Sequence, residues 1–481
     1  MSRRKSTWSI LTRRLKWASG LGFLTGLVYT AFLWSPPPSS ADRTSAAPKA
    51  QLADPVLRPL QPEGLALRGL GSTLSGSDAS PRTSTVSHGK RSASKKTDSW
   101  AIPAGRVDIA AGVREGDALI QRLADGTKLT FTVRPELQHD AEQALAKYRA
   151  QFGALVVMDP KTGAILAIAE RDVSPNPTRK IAFKADGPAA SVFKVVTSAA
   201  LVEHGGLRSE AKICTHGGAR RLESRHLVDN RRKDRWCQTF AEAHGASNNV
   251  AFARWSDRLI EPEQLTATAD KFMFNRRIPF LWKVGVSEAK VPRASRLGFA
   301  KTAAGFQGTR LSPLHGALIA SAVANGGVMM TPRLVAGAED TSGRSLYSAQ
   351  WKQLSKVMSE ATASEVTELM KATTVGEGSA ARYFMRRKKR ARVTDLNGAV
   401  NIAGKTGTLS RKRRHFSWFV GFAPAENPEV VVSALVVNGE VWTTKGAVVA
   451  REFLQRFFNR KKRQQRKALR AIQKASSRSK K

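Results

Sequence analysis

Residues 189–206 read AASVFKVVTSAALVEHGG. Val192, Phe193, Val195, Val196, Ala199, Ala200, Leu201 and Val202 form an apolar run of about three helical turns, and Gly205 and Gly206 supply a C-cap-like stop. The pattern predicts a buried helix. Lys194 stands inside it, and an ammonium taken into apolar surroundings is costly unless it is paired or neutralised. Ser191 lies three residues earlier, on the same helix face, so the amine comes within reach of the hydroxyl. A serine hydroxyl is a weak nucleophile until a base removes its proton, and a desolvated lysine with a depressed pKa can be that base. A second cation nearby would disfavour the ammonium further.

Ser-x-x-Lys also occurs at Ser2, Ser87, Ser92, Ser209, Ser287 and Ser477, but only Ser191 opens a long apolar helical run. There the free N–H groups of a helix N-terminus also face any developing negative charge. The second cation is available at Lys405 in NIAGKTGTLS, which follows an apolar approach and enters a strand pattern. In that segment Gly407 is expected to let a ligand approach the backbone, while the hydroxyls of Thr406 and Thr408 suit a carboxylate. Lys161, Thr162 and Gly163 repeat the tripeptide, but within a DPKTG turn. In HGASNNVAFARW, Ser247 and Asn249 precede another apolar helical run, offering a hydroxyl for proton relay and an amide for a substrate peptide group. Ser174 and Asn176 repeat that spacing in a Pro-containing loop.

The chain has 481 residues, 41% of them hydrophobic, enough for at least one large core. Its formal net charge of +41 raises the question of nucleic acid, and the N-terminus argues against it. WASGLGFLTGLVYTAFLW, residues 17–34, is uncharged, of membrane-spanning length, and preceded by Arg3, Arg4, Lys5, Arg13, Arg14 and Lys16. The positive-inside rule predicts a cytoplasmic N-terminus over 1–16, a transmembrane helix over 17–34 and an extracytoplasmic remainder. A cleavable signal peptide ending near Ser39 and Ala41 competes with the anchor and gives the same compartment. Outside the cytoplasm the available polyanions are lipid headgroups and acidic wall polymers. The basic runs at 386–392 and 411–414 are read as solvated surface, with contact to an anionic wall polymer, substrate strand or lipid surface as the alternative.

Residues 35–104 are rich in Ser, Pro and Gly and form a disordered linker by composition; 105–135 reads as a short pre-catalytic segment. ALVVMDPKTGAILAIAE predicts a strand hairpin, LHGALIASAVANGG and SAQWKQLSKVMSEATASEVTELMKATT predict helices, and strands return in GAVNIAGKTGT, FSWFVGFAP and PEVVVSALVVN. Strands at both ends of a helical middle predict one α/β domain over 136–458 whose sheet joins distant parts of the chain. Residues 459–481 contain no acidic side chain and are expected to be a basic solvated tail.

Taken together, Ser191-x-x-Lys194, Ser247-x-Asn249 and Lys405-Thr406-Gly407 resemble the signature of the penicillin-binding protein transpeptidase family. The resemblance covers roughly residues 128–458 and extends to GALVVMDPKTGAILAIAE, GFQGTRLSPLHGALIASAVANGG and AGKTGT with SWFVGFAPAENPEVVVSALVV. It implies an antiparallel sheet with a helical subdomain, of the penicillin-binding and serine β-lactamase type, and no cofactor or metal. It implies Ser191 as nucleophile toward the terminal D-alanyl-D-alanine bond of a peptidoglycan stem peptide, and Lys194 as base. Ser247 would pass a proton to the leaving amine, Asn249 hold the substrate amide, and Lys405 tune the network. Thr406 and Thr408 would take the terminal carboxylate, with Gly407 between them. The backbone N–H groups of Ser191 and Thr408 would form the oxyanion hole. Stem peptides and β-lactams are then the partners. A carboxypeptidase or β-lactam hydrolase, and a silent sensor on the same fold, are the alternative outcomes. The family's larger members carry a further folded module before the catalytic domain, where this chain has the linker.

Cys214 and Cys237 lie in the exported part, which favours a disulfide. His216 and His226 fall between them, but the spacing fits no usual zinc site. Trp418 and Phe419 are read as filling a sheet face.

Overall fold

The computed structural model describes residues 101–177, 180–219, 221–385, 392–395, 397–411 and 413–479. The chain divides into two units, Met1–Ser92 and Ala93–Lys481, and all described residues belong to the second. The expected membrane span at 17–34, nearly all of the linker and most of the basic run at 386–392 lie outside the described residues. Among those described, no helix is long and apolar enough to cross a membrane.

Three short strands, β1 (Val113–Glu115), β2 (Ala118–Arg122) and β3 (Lys128–Phe131), precede helix α1 (Pro135–Lys147), which begins with a proline in its first turn. Strands β4 (Phe152–Met158) and β5 (Ile165–Asp172) form the hairpin expected around DPKTG. Its turn is held by Asp159, whose Oδ1 accepts from the N–H groups of Lys161 and Thr162, and Gly163 takes φ +75°. The first Lys-Thr-Gly is therefore turn chemistry.

Next come a 3-10 turn, Ala190–Phe193, and α2 (Lys194–Glu203), buried from Lys194 through Val202. The hairpin β6 (Lys212–Thr215) and β7 (Trp236–Thr239) leads to α3 (Phe240–Ala246), α4 (Asn249–Leu259), α5 (Pro262–Lys271), α6 (Arg296–Ala303) and α7 (Pro313–Ala324). Strands β8 (Val328–Met330), β9 (Val335–Glu339), β10 (Ser345–Ser348) and β11 (Gln353–Lys356) follow, then α8 (Glu360–Lys371) and α9 (Ala381–Phe384). After the short pair β12 (Thr394–Asp395) and β13 (Gly398–Ala399) come β14 (Ala403–Arg411), β15 (Arg414–Ala423), β16 (Val430–Asn438) and helix α10 (Gly446–Ser479).

The central sheet has the order β14-β15-β16-β4-β5 and is antiparallel throughout, so strands about 275 residues apart in sequence become neighbours where β16 meets β4, as Val432 pairs with Val157. Strand side chains alternate between faces. Val156, Met158, Trp418 and Val420 enter one core with α2 and α7, whereas Leu155, Val157, Phe419 and Val432 enter another with α1 and α10. Both faces are covered, which is why β4 and β16 read as continuous apolar runs. α7 is apolar all round and buried over most of its length, as a helix between a sheet and other helices should be.

Two expectations are corrected. The segment 105–135 is not separate from the catalytic domain: β3 pairs with β9 in a second sheet of order β1-β2-β3-β9-β10, and Leu129, Phe131 and Val133 enter the core that holds α2. The helix expected over 348–374 exists only from Glu360 to Lys371; upstream, Gln353–Lys356 pairs with Val328–Met330, and Ser359 starts the helix by accepting from Thr362 N–H. Residues 459–479, expected as a basic solvated tail, continue α10, with Arg460 bound to Asp140 at 2.7 Å and Lys461 to Glu429 at 2.5 Å. Opposite charges on α1 and the loop before β16 fix the helix there; farther along, Leu469 and Ile472 are exposed.

Candidate active site

The turn that carries Ser191 is pressed against the sheet. Trp418 Nε1 donates to Pro188 O at 2.9 Å, and a Cβ on Gly407 would meet Val192 Cγ2 at 3.1 Å and Ala189 O at 3.2 Å. Gly407 therefore makes room for this turn. Ala190, buried, has φ +50°, an uncommon conformation for a residue with a Cβ. Gly305 closes on it from the other side, where a Cβ would lie 2.4 Å from Ala190 O.

Lys194 starts α2 and is wholly buried. Its Nζ lies 3.0 Å from Ser191 Oγ, 2.8 Å from Asn249 Oδ1 and 2.5 Å from Ala304 O. A neutral amine has two protons and one lone pair. With Asn249 and Ala304 accepting the protons, the lone pair is left for the Ser191 hydroxyl. Burial lowers the pKa of Lys194 well below its ordinary value, and the charge of Lys405 lowers it further. Lys405, also wholly buried, is brought down to about 7 by desolvation.

Ser247 ends α3 in a left-handed conformation, φ +62°, and Asn248 begins α4 by accepting from the N–H groups of Val250 and Ala251. Asn249 then faces Lys194 with its carbonyl, while its Nδ2 donates to Ala219 O at 2.9 Å. Both ends of this amide already have protein partners. Thr406 bonds to Ser379 through the two hydroxyls at 2.6 Å, and Thr408 is exposed. Ser191, Asn249 and Thr408 line one cleft of about 380 Å³, with Ala219, Gly305, Phe306, Leu409 and Ser410 completing its walls. A larger cavity of about 650 Å³, bordered by Phe152, Ile181, Phe416 and Asn438, contains none of the motif residues.

Cys214 and Cys237 form the expected disulfide across the β6–β7 pair. His216 binds Asp234 at 2.6 Å, and no group of metal-ligating side chains gathers among the described residues. Although burial raises the pKa of Asp234, hydrogen bonds from Arg254 and His216 hold its carboxyl well below the usual range.

The family model described as the penicillin binding protein transpeptidase domain matches residues 153–459. The chain belongs to the penicillin-binding protein transpeptidase family. A curated relative, peptidoglycan D,D-transpeptidase PbpA of Mycobacterium tuberculosis, is 28% identical over 380 residues, covering 70% of this chain and 73% of the relative. The solved D,D-transpeptidase domain of a peptidoglycan glycosyltransferase from Eggerthella lenta superposes with a TM-score of 0.58 at 26% identity, covering 74% of this chain and 91% of that one. The imipenem acyl-enzyme complex of penicillin-binding protein A from M. tuberculosis gives 0.55 at 26% identity, covering 69% and 79%. In this penicillin-binding protein, strand β14 and helices α2 and α4 bring the three motif segments around one cleft.

Several residues at the site escaped sequence reasoning. Ala304 offers only a backbone carbonyl, so its residue type carries no signal, whereas Gly305, at φ +79°, marks the close approach. Asn248, hidden inside the Ser-x-Asn motif, also donates to Thr215 Oγ1 and Gln238 Oε1, both at 2.9 Å, fastening the motif to the disulfide hairpin. His244 is buried, bonds Ser198 Oγ at 3.0 Å, and has its pKa lowered well below the ordinary value by burial and by the charges of Lys405 and Lys194. Ser379, reaching Thr406 from the turn before α9, had no sequence signal at all.

Proposed function

We propose that this chain is a serine-type D,D-transpeptidase that crosslinks peptidoglycan stem peptides through a Ser191 acyl-enzyme and is acylated at the same residue by β-lactams. The observation that carries this reading is the 3.0 Å contact between Ser191 Oγ and the buried Lys194, whose pKa burial lowers well below its ordinary value. Ser191 Oγ attacks the carbonyl of the penultimate D-alanine as its proton passes to Lys194. The N–H groups of Ser191 and Thr408 receive the developing oxyanion. Ser247 returns a proton to the departing D-alanine amine, Asn249 shares its amide with the donor peptide group, and Lys405 keeps Lys194 basic only in its neutral form. Thr406 and Thr408 receive the terminal carboxylate. An amine from a neighbouring stem then displaces Ser191 and forms the crosslink.

The same reading places residues 17–34 in the cytoplasmic membrane as a single anchor, 35–104 as a linker and the catalytic domain on the outer side. Contact of the basic runs with anionic wall polymer or lipid belongs with it. The test exposes one sample of the full chain to a fluorescent penicillin and incubates a separate, untreated sample with a stem-peptide donor and an amine acceptor. Covalent labelling that Ser191→Ala abolishes, together with crosslinked product, is expected. An unlabelled parent protein would overturn the reading, and labelled protein that yields only the hydrolysed donor would make it a carboxypeptidase.

A further inference from the structure

Thr408 borders a second cavity besides the Ser191 cleft, a small one of about 90 Å³ between β14, α9 and the start of α10. Ser379, Thr406 and Thr408 bring hydroxyl-bearing side chains to it, and Arg382 and Lys445 bring two cations. Arg382 stacks over the Tyr383 ring at 4.7 Å and donates to its hydroxyl at 2.5 Å. Lys445 lies 3.3 Å from the centroid of Trp442. Neither forms an ion pair with a carboxylate among the described residues. Arg382 is exposed and Lys445 half-buried. The two cations are also close together: burial lowers the Lys445 pKa, and the charge of Arg382 lowers it further. Two like charges with no counter-ion beside a hydroxyl-lined cavity make a local field that an anion would relieve.

The size of the cavity limits that anion. One water occupies roughly 10–15 Å³ of such space, so the cavity holds a carboxylate and a few waters but no ring or second peptide unit. Thr408 lines both this cavity and the Ser191 cleft. We propose that Arg382 and Lys445 form the cationic end of a carboxylate subsite adjoining Thr408, and that they select donors and β-lactams bearing a free carboxylate. Hydroxyls alone give neutral hydrogen bonds, whereas charge-assisted bonds are about twice as strong. The inference rests on the proposed acylation of Ser191 and assigns its specificity to two residues outside the three motifs.

The experiment compares acylation of the full chain by penicillin G with acylation by its methyl ester, as second-order rate constants. The parent should react much faster with the acid, and added salt should erode that preference. Arg382→Gln and Lys445→Gln should each lower the acid-to-ester ratio about 10- to 100-fold, the loss of a charge-assisted hydrogen bond. Arg382→Lys should retain most of the ratio, and the ester rate of each variant reports that Ser191 and its surroundings remain folded. Equal losses with acid and ester would overturn the subsite while leaving the acyl-enzyme reading intact, as would a parent indifferent to esterification. A parent acylated by neither compound would bring down both.

Discussion

Lys194 and Lys405 are both wholly buried, and the charge of Lys405 lowers the pKa of Lys194. A lysine whose folded pKa lies below its unfolded value lowers stability fully at pH below the folded pKa, and the cost disappears as pH rises through the unfolded value. For Lys405 that window runs from about 7 to its ordinary value near 10.5. Lys405→Met should therefore raise stability at neutral pH by on the order of a few kcal/mol, and urea unfolding should show the gain shrinking toward pH 10. The same variant should impair the enzyme differently. Acylation requires neutral Lys194, so its rate falls as pH drops through the lowered pKa of that residue. Removing the Lys405 charge lets that pKa rise, and the acid limb of the penicillin acylation profile should move to higher pH. An unmoved limb would mean that Lys405 does not act on the base.

Helix α4 carries Asn249 to Lys194 and is itself anchored from behind by Arg254, which is wholly buried. Its guanidinium donates to the carbonyls of Cys214, His226 and Val228 and to Asp229 and Asp234, so one side chain gathers the segment between β6 and β7. That segment contains Ala219, whose carbonyl accepts from Asn249. Arg254→Met should cost about 3–5 kcal/mol, because it leaves Asp234 buried without its cation, and chemical denaturation should register the loss. Asn248→Ala removes the α4 cap and the two bonds to the disulfide hairpin. A stability loss of about 1–2 kcal/mol is expected from the cap alone, with slower acylation as Ser247 and Asn249 lose their fixed backbone. A fully stable, fully reactive variant would show that the motif holds its geometry without this amide.

At the scale of the molecule, the sheet β1-β2-β3-β9-β10 ties residues before α1 to residues beyond α7. A chain beginning at residue 101 should keep penicillin acylation. One beginning at 136 should unfold at markedly lower urea, since it lacks Leu129, Phe131 and Val133, each worth roughly 1.5–3 kcal/mol when buried. Equal midpoints would restore the boundary that the sequence implied. The contrast shows where that reading stopped: β3 pairs with β9, which lies some 200 residues away and carries no mark of the pairing. The same holds for Gln353–Lys356, whose side chains fit a helical pattern until β8 pairs with it, and for residues 459–479, whose charge hid a helix anchored by Asp140 and Glu429. Local spacing alone determined that Ser191 and Lys194 share a face inside an apolar run, that Asn249 heads a helix and that Lys405 enters a strand, because these follow from the period of the backbone. Only the tertiary structure decided that Lys405 stands near Lys194, that Gly407 yields to the Ser191 turn, and that Arg382 and Lys445 flank Thr408. Those relations depend on how separate elements pack, and packing is set by complementary shapes and charges distant in sequence.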